Sequence, residues 1–167
     1  MNDQLIQNPG YGILYGHNPL TLTPRQSQKY DFKTFLKTKH FLVRESFFET
    51  TSNRKVSLIA FDLFREVIFC DTTANNDLRR KETDPIGEPL DTFAPLFRKP
   101  NPRGDIMPSS WEDLAVKGFF IGLKFKRYLQ LSNGLIFLIA LTGSPLFDNS
   151  GDIVGGVCLY QKLKHKT

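Results

Sequence analysis

The sequence predicts an α+β fold: a five-stranded antiparallel sheet with short helices on one face and an amphipathic helix before it. Three observations carry this expectation. Strand-like runs come as a pair and then a triplet, with a proline-rich stretch between the two groups. Asn133-Gly134 and the run Asp148 to Asp152 are turn sequences of the kind that join antiparallel neighbours. The run Leu135 to Leu141 is apolar on both sides, whereas a sheet with one wet face alternates. Both faces of this sheet are therefore expected to be covered.

Residues 1–30 are broken by Pro9-Gly10, Gly12, Gly16, Asn18-Pro19 and Pro24, and read as an irregular lead. Asp31 is a candidate N-cap for a helix over 31–49. Phe32, Phe35, Leu36, Lys39, Leu42, Val43 and Phe47 recur along that stretch at spacings of three and four, forming one apolar stripe interrupted by a lysine. Such a stripe must lie on something, either the chain's own sheet or a second copy. As a contact between copies it predicts a homodimer.

Polar residues 50–53 break the helix. Lys55 to Leu63 and Glu66 to Cys70 then form a hairpin around Phe64-Arg65. Asp71 or Thr72 caps a short helix through Ala74 and Leu78. Lys81 to Ser110 is rich in proline and reads as loops and short turns. Pro108-Ser109-Ser110, followed by Glu112 and Asp113, opens a helix over 111–117 that stops at Gly118. A meander closes the domain, with strands Phe119 to Gln130, Leu135 to Phe147 and Ile153 to Leu163. The divisions are a lead (1–30), a cap or dimer helix (31–49), a domain (55–163) and a short tail (164–167).

Composition bounds the function. The 167 residues are 40% hydrophobic and 23% charged, ordinary for one globular domain. There are 15 Phe, which fill space without needing a hydrogen-bond partner. The net charge is +5, and residues 1–44 carry six Lys/Arg against two Asp/Glu. This basic arm is read as a solvated face; nucleic acid is not an expected partner. No run reaches the ~18 apolar residues of a membrane span, and no basic, apolar leader opens the chain. A cytoplasmic location is expected.

Catalytic and metal signatures are missing. No GxSxG, HExxH or Gly-Lys phosphate loop occurs. Cys70 and Cys158 lie in apolar strands and read as reduced, packed thiols rather than zinc ligands. The pair Glu112/Asp113 suits a helix start, and Asp148/Asp152 suits a turn. No enzyme and no metal site is expected.

Four stretches in this order resemble a PAS domain, the sensory module of many bacterial histidine kinases. They are VSLIAFDLFREVIFCDTTANNDL (56–78), DPIGEPL (84–90), MPSSWEDLAVKG (107–118) and, the most similar, LTGSPLFDNSGDIVGGVCLYQ (141–161). One residue and one triplet depart from the family. Asp71 stands where Asn is usual. Lys162-Leu163-Lys164 stands where an Asp-Ile-Thr triplet commonly couples the sheet to an output helix.

The resemblance implies a sensory or regulatory module. It would bind a small ligand or a protein partner and pass a conformational change to a kinase or other regulator. A ligand-free interaction scaffold is the alternative. Implied pocket residues are Phe69, Phe97, Trp111, Leu114, Ile121, Leu123, Phe137 and Ile139. Haem is not expected, because 111–117 holds no histidine, and His17, His40 and His165 lie outside the domain core. A photoreactive flavin is not expected, because the reactive-cysteine motif is absent.

Overall fold

The structure is a computed structural model that describes residues 5–6, 24–49, 56–79, 82, 84–97 and 125–163. Its centre is the expected hairpin and meander. Strands β3 (Ser57–Asp62) and β4 (Val67–Cys70) turn at Leu63-Phe64. Asp62 builds that turn. Its Oδ1 accepts the amides of Phe64 (2.9 Å) and Glu66 (3.1 Å), and Arg65 takes a positive φ of 58°.

The meander strands are β6 (Phe125–Gln130), β7 (Ile136–Phe147) and β8 (Ile153–Lys162). Asn133 Oδ1 accepts the Leu135 amide at 3.0 Å, and Gly134 supplies a φ of 86° at the first turn. Asp148 Oδ1 accepts the amides of Ser150 and Asp152 at the second. Both strand ends fall within a residue of the expected boundaries. The first half of the expected first meander strand, 119–124, lies outside the described residues, as does the helix expected over 111–117.

Across the sheet the five strands run β4-β3-β8-β7-β6, every pair antiparallel. Three short strands that the sequence did not announce extend it to eight. They are β1 (Leu5–Ile6), β2 (Leu42–Arg44) and β5 (Leu96–Phe97). β2 pairs with the end of β7, Leu42 opposite Phe147, and β1 pairs with β2. β5 pairs with β6, Phe97 opposite Tyr128. Runs of two or three residues are too short to carry a period. The result is an open antiparallel sheet with a few short helices, the α+β arrangement that the sequence predicts.

The amino-terminal helix differs from the expected 31–49. Helix α1 runs Pro24–Lys39, with Asp31 inside it rather than capping it. A proline is well placed at a helix start, where its missing N–H has no partner to lose. The helix stops because His40 turns left-handed, with a φ of 57°. The Phe41 amide then bonds the Leu36 carbonyl (2.9 Å) and the His40 amide the Lys37 carbonyl (3.3 Å). These two bonds are the pattern of a Schellman cap, and Phe41 sets its ring edge-on to Phe35. Beyond it come β2 and a short helix, α2 (Glu45–Glu49).

Both sheet faces are covered. The far face buries Leu58, Ala60, Ala140, Leu146, Val157 and Leu159 beneath Phe32, Leu36, Val43 and Phe47. So the apolar stripe is used on the chain's own sheet: Phe32 and Leu36 are fully buried, while Phe35 and Leu42 are half-buried. Burying each such side chain contributes about 1.5–3 kcal/mol, far more than helix propensity could supply. The part of the stripe left at the surface is the half-buried pair Phe35 and Leu42. The near face buries Ile59, Phe61, Ile139, Leu141, Cys158 and Tyr160 beneath two short helices, α3 (Thr72–Leu78) and α4 (Leu90–Phe93).

Gly155 belongs to the sheet rather than to a helix or ligand contact. A Cβ there would run into the carbonyl oxygen of Phe61 on the neighbouring strand.

Candidate functional site

The near face is the candidate site, and α3 is its best-defined wall. Asp71 caps that helix. Its Oδ1 accepts the Ala74 amide at 2.8 Å, and its Oδ2 accepts the Leu58 amide at 3.1 Å. The Asp71 amide donates in turn to the Leu58 carbonyl at 3.0 Å. One buried carboxylate thus starts the helix and fastens it to β3. Aspartate does here what the more usual asparagine cannot fully match, offering two anionic oxygens to two amides.

At the other end of α3, Asp77 is held three ways. Its Oδ2 accepts the Tyr160 hydroxyl at 3.0 Å. Its Oδ1 lies 2.9 Å from Lys162 Nζ. Its carbonyl accepts the Ser132 amide of the β6–β7 turn at 2.8 Å. Lys162 Nζ also sits 5.8 Å from the centre of the Phe137 ring, a cation–π distance. Tyr160 is 1% exposed. Burial, and then the charge of Asp77, push its phenol well above the usual range, so it stays a neutral donor. Between these two ends, α3 buries only Ala74 and Leu78.

The expected pocket residues separate. Ile139 is fully buried in the near face, and Phe137 packs half-buried against it. Phe97 is buried on β5. Trp111, Leu114, Ile121 and Leu123 lie outside the described residues. Phe69 is on the wrong side for this site: it packs on the far face, 5.0 Å from Phe35 and 5.5 Å from Phe32, centre to centre.

A β-bulge causes this. Ala60 pairs with Phe69 but Phe61 pairs with Val67, so Ile68 is an extra residue. One extra residue flips everything beyond it to the other face. Val67 and Cys70 therefore point to the near face, and Phe69 points away.

Asp77, Tyr160 and Lys162 were not singled out from the sequence. One signal was present. An acidic residue in the last turn of a helix opposes the dipole, so Asp77 called for a cation or donor from elsewhere.

Among the described residues the near face carries little reactive chemistry. Cys70 and Cys158 flank Ile59 from two neighbouring strands, so they are two strand spacings apart, about 10 Å. That is too far for a disulfide. Burial, with Asp71 and Asp84 adding to it, pushes the Cys70 thiol up to about 11, and burial raises Cys158 well above its ordinary value. Neither is a nucleophile at neutral pH. Among the described residues no group of three or more His, Cys, Asp or Glu is arranged to hold a metal. Among them, too, no helix is long and apolar enough to cross a membrane.

No family model and no curated protein matches the sequence. Solved structures are similar. The PAS domain of a protein from Colwellia psychrerythraea is 13% identical with a TM-score of 0.46, over 65% of this chain and 86% of that one. VqmA bound to DPO is 16% identical with a TM-score of 0.48, over 71% of this chain and 57% of that one. A light-oxygen-voltage domain studied with a flavin analogue is 15% identical with a TM-score of 0.47, over 72% of this chain and 86% of that one. These are likenesses of fold.

Proposed function

We propose that this chain is a PAS-type sensory or regulatory module. It takes a small ligand or a protein partner at the near face and passes a change of packing to a kinase or other regulator. The observation that supports this reading most is how α3 sits. It covers the near face with two buried apolar side chains and is fastened by carboxylates at its two ends. A ligand that binds one arrangement of a helix fastened at its two ends better than another biases the packing by that difference in affinity. The chemistry of the site suits recognition rather than catalysis, so no enzymatic step belongs to the proposal. Nor does a haem or a photoreactive flavin.

A second reading is a ligand-free interaction scaffold. The packing of the near face favours it, since Phe61, Phe93, Leu90 and Tyr160 fill the space under α3 and α4. Native mass spectrometry of the full chain, purified without denaturation, separates the two readings. The sensory reading predicts an added small-molecule mass that is lost on unfolding. A bare polypeptide mass, together with no rise in melting temperature across a metabolite panel, supports the scaffold instead.

A further inference from the structure

Lys162 is the last residue of β8, the last strand of the sheet in chain order. The position at which PAS relatives couple to an output helix carries no Asp-Ile-Thr triplet here. A different connection is present. Asp77, Tyr160 and Lys162 join the carboxyl end of α3 to the carboxyl end of β8 through two bonds on one carboxylate.

We infer that this carboxylate is a latch: α3 and the end of β8 are released together or held together. The inference rests on the sensory reading for its purpose, but its geometry stands alone. The Tyr160 hydroxyl and the Lys162 ammonium both donate to the same α3 side chain, at 3.0 and 2.9 Å. A shift of α3 that lengthens one bond beyond hydrogen-bond reach lengthens the other as well. Losing Asp77 leaves a phenol buried at 1% exposure with the Ser57 hydroxyl in place of a charged acceptor, which weakens its hydrogen bonding. The two bonds therefore behave as a unit. Lys162, 38% exposed, is the half that solvent can take over once α3 moves.

The same movement reaches a third element. The Asp77 carbonyl accepts the Ser132 amide, so the β6–β7 turn is released with the helix. Beyond Lys162, the Leu163 amide still bonds the Leu138 carbonyl at 2.9 Å, which keeps the exit residue on the sheet while the latch is closed. An occupant of the near face that displaces α3 thereby loosens the exit of β8.

Amide hydrogen exchange on the ligand-free full chain tests this, and its outcome is independent of whether any ligand exists. The variants are Asp77→Asn, Lys162→Met and the double variant, with Lys162→Arg as the conservative control. Lys162→Met keeps an apolar stem over Phe137 and replaces a part-exposed side chain, so it retains the fold even if Asp77→Asn does not. The latch predicts exchange faster by roughly three- to tenfold in both 72–79 and 159–163 for Lys162→Met, the size of one lost charge-assisted bond discounted for solvent.

It also predicts a double variant no worse than the worse single one, and Lys162→Arg close to the parent. Faster exchange confined to 159–163 in Lys162→Met would overturn the latch. So would effects of the two single variants that simply add.

Discussion

Phe35 and Phe69 meet with ring centres 5.0 Å apart, on the face of the sheet opposite α3. One is half-buried on α1 and the other half-buried on the edge strand β4. With Phe32, which stands 6.0 Å from Phe35 and 5.5 Å from Phe69, they form an aromatic cluster that pins the helix over the sheet. This contact fixes what each face does. The far face is closed by α1 and α2, and the near face by α3 and α4.

The cluster predicts a graded response to truncation. Phe32→Ala removes a fully buried ring and should cost about 3–5 kcal/mol in urea unfolding. Phe64→Ala, at a turn position 84% exposed, should change stability by less than about 0.5 kcal/mol. Equal costs for the two would contradict the packing described.

Asp71 should separate cap from charge. Asp71→Ala loses the helix cap and leaves the buried Leu58 amide without an acceptor, a cost of about 2–3 kcal/mol. Asp71→Asn keeps one acceptor oxygen and should cost about 1 kcal/mol. Thermal unfolding of the two variants reads the difference; a harmless Asp71→Ala would show that α3 is held by other means.

Gly155→Ala should destabilise the chain by about 2–3 kcal/mol, because the added methyl meets backbone rather than a movable side chain. Gly134→Ala meets open space but must hold a φ of 86°, a strain of about 1 kcal/mol. Reversal of that order in chemical denaturation would argue against the close approach of β8 to β3.

Alkaline pH should weaken the fold. Tyr160 and Cys70 both ionise later in the folded chain than in the unfolded one, whose ordinary values are 10.0 and 9.0. Burial is the main cause for each. Above those values the unfolded chain gives up protons that the folded chain keeps, so stability is full below about pH 9 and falls as the pH rises through 9 and 10. Tyr160→Phe should flatten this fall. An unchanged alkaline slope would mean that Tyr160 is not buried as described.

Thiol labelling checks the same region at neutral pH. Cys158, fully buried, should react only on unfolding, and Cys70 should react slowly. Oxidants should form no bridge between them.

Where the sequence carried a local signal, the fold was legible. Asp148 to Gly151 and Asn133-Gly134 set turns through their own side chains and a positive φ. The strands between them therefore end where their residues say. Asp71 was legible, with Thr72, as one of two candidate caps, and the structure selects Asp71. The two-sided apolar run from Leu135 announced that both faces are covered.

Other features depend on partners far along the chain. His40 ends α1 in a left-handed conformation, which histidine adopts more readily than most residues but too rarely to mark a helix end by itself. Ile68 is an ordinary strand residue whose role as a bulge appears only opposite Ala60 and Phe61. Alternation read without it places Phe69 on the wrong face. Asp77 and Lys162 are 85 positions apart, and no period or motif links them.

The most direct test of the account is hydrogen exchange on the full chain before and after incubation with a filtered small-molecule extract. The account predicts changed exchange at the near face, in 72–79 and 90–97, with a matched change at 159–163 and none in 31–40. No change at the near face, or a change confined to α1, would contradict it.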